Sequence, residues 1–124
     1  MTEPVFSYDE VSDTLYISFA PGEAATGIEL TDHILMRVNK RERRVIGLTL
    51  LDYSLIAQTT EIGPRSFPLT GIDQLSLELR AIVLDMLLQP PVRDILSLSA
   101  YTPSPGEAIP IISLQPLAVE ASTP

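Results

Sequence analysis

The chain has 124 residues, a hydrophobic fraction of 45% and a formal charge of −8, which suits one domain of roughly 100 to 200 residues with material for a single core. It contains no cysteine, which excludes disulfides, thiolate metal sites and cysteine nucleophiles. His33 is its one histidine, which excludes a multi-histidine metal centre.

The start, Met1-Thr2-Glu3-Pro4, has neither the basic region nor the apolar stretch of a secretory signal. The longest apolar run, Ala81 to Leu88, is interrupted by Asp85 and is far shorter than the roughly 20 residues that cross a bilayer. Both features predict a soluble, cytoplasmic protein without a membrane partner.

The first elements read as strands. Val5 to Tyr8 is short, and Thr14 to Phe19 alternates, with Leu15, Ile17 and Phe19 on one face and Tyr16 and Ser18 on the other, the period of a half-buried strand. Between them Asp9 to Asp13 supplies Asp and Ser side chains that bond their own backbone in turns, so a hairpin is expected. Pro21-Gly22 breaks the chain, and Gly27 to Leu30 adds a short extended piece. Ile34, Met36 and Val38 alternate with Leu35 and Arg37, and Val45 to Leu51 is rich in leucine and β-branched residues. The polar stretch Asn39 to Arg44 between these strands is expected to be a hairpin tip.

Tyr8-Asp9, Asp13-Thr14-Leu15-Tyr16-Ile17 and the run Val45-Ile46-Gly47-Leu48-Thr49-Leu50-Leu51-Asp52-Tyr53-Ser54 resemble the small bacterial family known as domain of unknown function 2283. The resemblance covers roughly residues 5–55 and implies a small antiparallel sheet followed by a helix. It implies no established activity. The chain departs from the family pattern twice: its turn at 39–44 is basic and lacks glycine, and Thr49 stands where the family has an acid.

Thr59 to Pro68 reads as a loop containing Gly63-Pro64 and Phe67-Pro68. A helix is expected over residues 70–89, with Thr70 as its cap and Asp73 three residues on. At about 100° per residue, Ile72, Leu75, Leu79, Ile82, Val83, Met86 and Leu87 share one broad face. Leu77, Leu84 and Leu88 form a second apolar stripe, which leaves Gln74, Glu78, Asp85 and Gln89 as the wet side. A helix so apolar all round is normally covered on both flanks.

Beyond Pro90-Pro91, residues 92–114 read as a β-hairpin, with Ile95 to Tyr101 and Ala108 to Leu114 as its strands. Pro110 would need an edge position or a bulge. Pro-Gly-Glu-Ala occurs at Pro21 to Ala24 and again at Pro105 to Ala108, a turn composition in both places. Residues 115–124 show no periodicity and read as a loose tail. The expected fold is thus a single α+β domain: an antiparallel β-meander, then a helix, then a C-terminal β-hairpin.

Few side chains suggest chemistry. His33 would need an orienting acid to act as a base, and Asp32 is adjacent only in sequence. Asp9, Asp13 and Asp52 lie in the family-like motifs, but in a simple meander Asp52 falls at the opposite edge of the sheet from the other two, so turn and cap bonding is the expected role of all three. Tyr8 and Tyr16 sit in strands, where tyrosine is common for packing alone. No phosphate loop, nucleophile elbow or metal-binding helix motif is present, so neither cofactor nor metal is expected and the protein is read as non-enzymatic.

Two surfaces remain. Arg37, Lys40, Arg41, Arg43 and Arg44 make five of the eight basic residues, against only Glu42 among the acids of that segment, and the rest of the chain holds three bases and fifteen acids. Such a tip could meet nucleic acid or an anionic partner, although the acidic remainder would repel a polyanion. The leucine stripe Leu77, Leu84 and Leu88 points instead to a second protein chain. The reading that follows is an interaction or assembly module that self-associates as a homo-oligomer through the helix, with anion binding at residues 37–44 as the alternative.

Overall fold

The computed structural model describes residues 4–61 and 63–115. Most of the expected loose tail therefore lies outside the described residues.

Five strands form the larger sheet: β1 (Val5–Asp9), β2 (Thr14–Ser18), β3 (Thr26–Thr31), β4 (Ile34–Asn39) and β5 (Arg44–Leu50). All pairs are antiparallel, and the strand order is β1-β2-β5-β4-β3. β3, β4 and β5 make a meander that folds back so that β5, not β3, pairs with β2. The reason lies in β5 itself, where every residue from Val45 to Leu50 is buried. A strand with no wet face belongs in the middle of a sheet, whereas β1, exposed at four of five positions, is suited to an edge. The link from β2 to β3 turns at Gly22, and the hairpin of the C-terminal sheet turns at Gly106. Both glycines have positive φ, +85° and +83°, so both copies of Pro-Gly-Glu-Ala use glycine in the left-handed region.

A single helical turn, α1 (Tyr53–Ile56), follows. The segment expected as a loop contains three very short strands, β6 (Thr59–Thr60), β7 (Gly63–Pro64) and β8 (Ser66–Pro68). β6 pairs with β7, and β8 joins the C-terminal sheet. Two or three residues are too few for alternation to show.

The expected helix over residues 70–89 is divided. Thr70–Gln74 is a 3-10 helix, Leu75 and Ser76 are extended, and α2 runs from Leu77 to Leu87. Gly71 explains the break. A side chain there would collide with the backbone carbonyl of Glu29 on β3, so this turn is seated directly against the edge strand. A continuous helix could not hold that seat and also lie over the core. The true cap of α2 is Ser76, whose Oγ accepts from Leu79 N–H at 3.2 Å, and Thr70 plays no part in it.

A second 3-10 turn (Val92–Asp94) leads to β9 (Leu96–Ser104) and β10 (Glu107–Leu114), which form the C-terminal hairpin in a sheet of order β8-β10-β9. Pro110 sits in the middle strand, near a register shift between Glu107 and Ile109. Its carbonyl accepts from Leu69 N–H at 3.0 Å, so its ring nitrogen faces that same side, past the end of β8, and the ladder to β9 is intact.

The fold is α+β, and one core joins its parts. Leu15, Ile17, Ile28, Leu30, Ile34, Met36, Val38, Leu48 and Leu50 line the inner face of the larger sheet. They pack with Val83, Met86 and Leu87 of α2 and with Leu96, Ile112 and Leu114 of the smaller sheet. Each such fully buried side chain stabilises by about 1.5–3 kcal/mol relative to exposure.

The cap assignment is open to a direct check. Ser76→Ala should lower stability to urea by about 1 kcal/mol, the usual value of an N-cap, while Thr70→Ala should have little effect. Equal losses from the two would restore the continuous helix.

Candidate functional site

The order of the strands brings the family-like motifs together at one end of the larger sheet. Asp9 accepts Val11 N–H at 3.0 Å, as an Asx turn does, and Asp13 closes the β1–β2 turn in the left-handed region with φ 52°. From there Asp13 reaches across to the start of α1. Its carbonyl accepts Tyr53 N–H at 2.8 Å. Its carboxylate accepts Tyr8 OH at 2.7 Å, Ser54 N–H at 3.1 Å and Ser54 Oγ–H at 3.0 Å. Tyr8 and Tyr53 meet edge to face, with ring centroids 5.8 Å apart.

Asp52, at φ 53°, is the other left-handed residue of this end. Its Oδ2 lies 3.1 Å from Nδ1 of His33, at ion-pair distance but without hydrogen-bond alignment. His33 also packs edge to face on Phe67 at 5.5 Å, and its carbonyl accepts Leu51 N–H at 2.7 Å. The acid beside His33 is thus Asp52, not Asp32. The expectation that Asp52 lies at the opposite edge from Asp13 fails for the same reason: β5 pairs with β2, so the ends of both motifs are neighbours. Asp13 and Asp52 are engaged by different partners, and no group of three or more acid or histidine side chains suited to a metal ion occurs among the described residues.

The donors around Asp13 determine its chemistry. The Tyr8 hydroxyl, foremost, and the Ser54 donors hold its carboxyl below the ordinary value, against a smaller opposing effect of desolvation. The same bond, with desolvation and the Asp13 charge, raises the Tyr8 phenol. A carboxylate already holding three donors is a poor proton acceptor and a good lock. Ser54, which no residue-level reading picked out, supplies two of those donors. The one signal for it was its place at the end of the second family-like block.

The basic tip is less free than its sequence suggests. Arg44 contacts Glu23 at 2.6 Å and Glu42 at 2.8 Å, bonds that raise its pKa, Glu23 first. Asn39 closes the turn through Glu42 N–H at 3.1 Å. Arg43 takes the left-handed conformation, φ 54°, at the turn where the family pattern ends in glycine. A cleft of about 350 Å³ lies between this tip and the end of α2, lined by Phe19, Arg43, Val45, Met86 and Pro91 among others. The last turn of α2 contains no basic residue of its own. Arg37 is not at the tip. It projects from β4 onto the outer face of the sheet, with its guanidinium over Gly47.

Leu77, the first residue of α2, is 79% exposed, and Leu88, its C-cap, is 53% exposed. Leu84, between them, is half-buried and packs on the core. No described helix is long and apolar enough to cross a membrane.

The lock should show in the response to pH. The Tyr8–Asp13 bond needs Asp13 ionised and Tyr8 protonated. Its depressed carboxyl contributes stability above the ordinary carboxylate range that is lost as pH falls through the folded value. Its raised phenol contributes stability below about pH 10 that is lost as pH rises through the folded value. The melting-temperature difference between wild type and Tyr8→Phe should therefore be widest near neutrality and narrow at both extremes. A difference independent of pH would show that the bond is not what holds this end together.

No curated protein and no solved structure matches the chain. Residues 6–54, which contain the whole Tyr8–Asp13–Ser54 lock together with Arg37 and Gly47, match the model of the family described as Protein of unknown function (DUF2283), bearing out the resemblance carried by those motifs.

Proposed function

We propose that the protein is a non-enzymatic assembly module of the cytoplasm that self-associates through α2. The observation that carries this reading is the bare pair Leu77 and Leu88 on a helix whose opposite face is already in the core. Leu77, Ala81, Leu84 and Leu88 follow one another at intervals of four, three and four residues, the spacing of a two-helix seam. They span about 16 Å at 1.5 Å per residue. Ala81, also exposed, allows a second helix to approach closely, and a second copy offers the same stripe.

The chemistry at the sheet end supports a structural use of its acids, since Asp13 is saturated with donors and Asp52 is turned to His33. The ion pairs of Arg44 and the displacement of Arg37 onto the sheet reduce the tip available to an anion to Lys40, Arg41 and Arg43.

Light scattering on the double variant Leu77→Glu/Leu88→Glu should give a smaller mass than wild type, with an unchanged circular dichroism spectrum. Leu84→Glu is a poorer test because it would also disturb the core. A wild-type mass equal to one chain, or a variant that keeps the wild-type mass, overturns the proposal.

A further inference from the structure

The outer face of the five-stranded sheet has no cover from the core. Strand register sets two rows across it. One runs Ser7, Tyr16, Thr49, Leu35, Glu29, and the other Val5, Ser18, Gly47, Arg37, Gly27. None of these residues belongs to the core cluster or packs against it. Val5 and Tyr16 are 51% and 45% exposed, and Leu35 is half-buried.

Arg37 and Glu29 are the charges of these two rows, and they do not meet. Arg37 turns toward β5, where the absence of a side chain at Gly47 makes room for its guanidinium. Its Nε is sealed from solvent without a hydrogen-bond partner. Glu29 stands on edge strand β3, on the side of β4 away from β5, and its carboxylate has no ion pair or hydrogen bond among the described residues. A half-buried cation and a free carboxylate thus lie side by side on an otherwise neutral patch of tyrosine, leucine, valine and small residues.

We infer that this face docks a second copy of the same chain about a twofold axis, with Arg37 of each copy paired to Glu29 of the other. A twofold axis between the two positions exchanges them, so one unsatisfied charge of each sign becomes two cross-pairs. Sheets that stack face to face lie about 10 Å apart, a gap that the exposed Tyr16 and half-buried Leu35 of each copy can fill. The face measures about 24 Å by 17 Å from strand spacing and rise. That is smaller than the roughly 800 Å² per partner of a standard interface, so the contact is weak and the charge pairs decide it. This surface is separate from the α2 seam and does not depend on it.

The test uses the full chain bearing Leu77→Glu/Leu88→Glu, which removes the seam. Sedimentation velocity is run at equal concentration on this parent, on the parent with Arg37→Glu, on the parent with Glu29→Arg, and on an equimolar mixture of the last two. The parent should dimerise, each charge reversal should weaken dimerisation by about tenfold or more, and the mixture should recover the parental level as a heterodimer. Recovery in the mixture also shows that both variants are folded. A monomeric parent, charge reversals that leave the dimer unchanged, or a mixture that stays monomeric each overturn the inference. If only the seam is absent, wild type and parent share one dimer mass while the charge-reversal pattern persists, so the two ideas fail separately.

Discussion

The burial of β5 on both faces dictates where the other elements go. A strand with no side for water cannot sit at an edge, so the hairpin of β1 and β2 must close against it from one flank and β4 from the other. Three consequences follow from that single placement. Asp13 and Asp52 become neighbours, the start of α1 falls within reach of the Asp13 carboxylate, and Gly47 lies between Ile17 and Arg37. A methyl group at Gly47 would approach the Ile17 carbonyl to 2.6 Å, so the small residue there is a demand of the central strand's close packing, not of a turn.

The elements of regular period were readable from residue order. The alternation of Thr14 to Phe19 and of Ile34 to Val38, and the C-terminal hairpin, all appear where apolar spacing places them. Strand order was not, because periodicity describes one strand's faces and says nothing of its neighbours. The clue was the stretch Val45 to Leu50, which has no charged residue and one polar side chain, Thr49, and so suits a central strand. The division of the helix was hidden for a different reason. Gly71 is seated on the Glu29 carbonyl, a contact with a distant strand that residue order does not show, and the chain bends before Ser76.

The polar side chains were harder still. Asp13 and Ser54 are 41 positions apart along the chain, and Tyr8 precedes both, so the union of the three depends on topology alone. His33 found its acid in Asp52, nineteen positions away by number, while adjacent Asp32 is not that partner. At the basic tip the count of arginines overstated the free charge, since Glu23 returns from the β2–β3 link to neutralise Arg44. Composition also sets a condition on the association proposed above. A chain of net charge −8 repels its own copies except where charge is absent or balanced, a condition that the proposed leucine seam and the proposed sheet-face contact both meet.

The two edges of the larger sheet are unlike. The turn at Thr70–Gln74 is pressed against β3, with Gly71 on the Glu29 carbonyl, whereas among the described residues β1 pairs with β2 alone. Strand addition to this sheet is therefore one-sided. Two molecules joined along β1 would present only guarded flanks, so that mode of growth terminates at a pair and cannot propagate into a fibre.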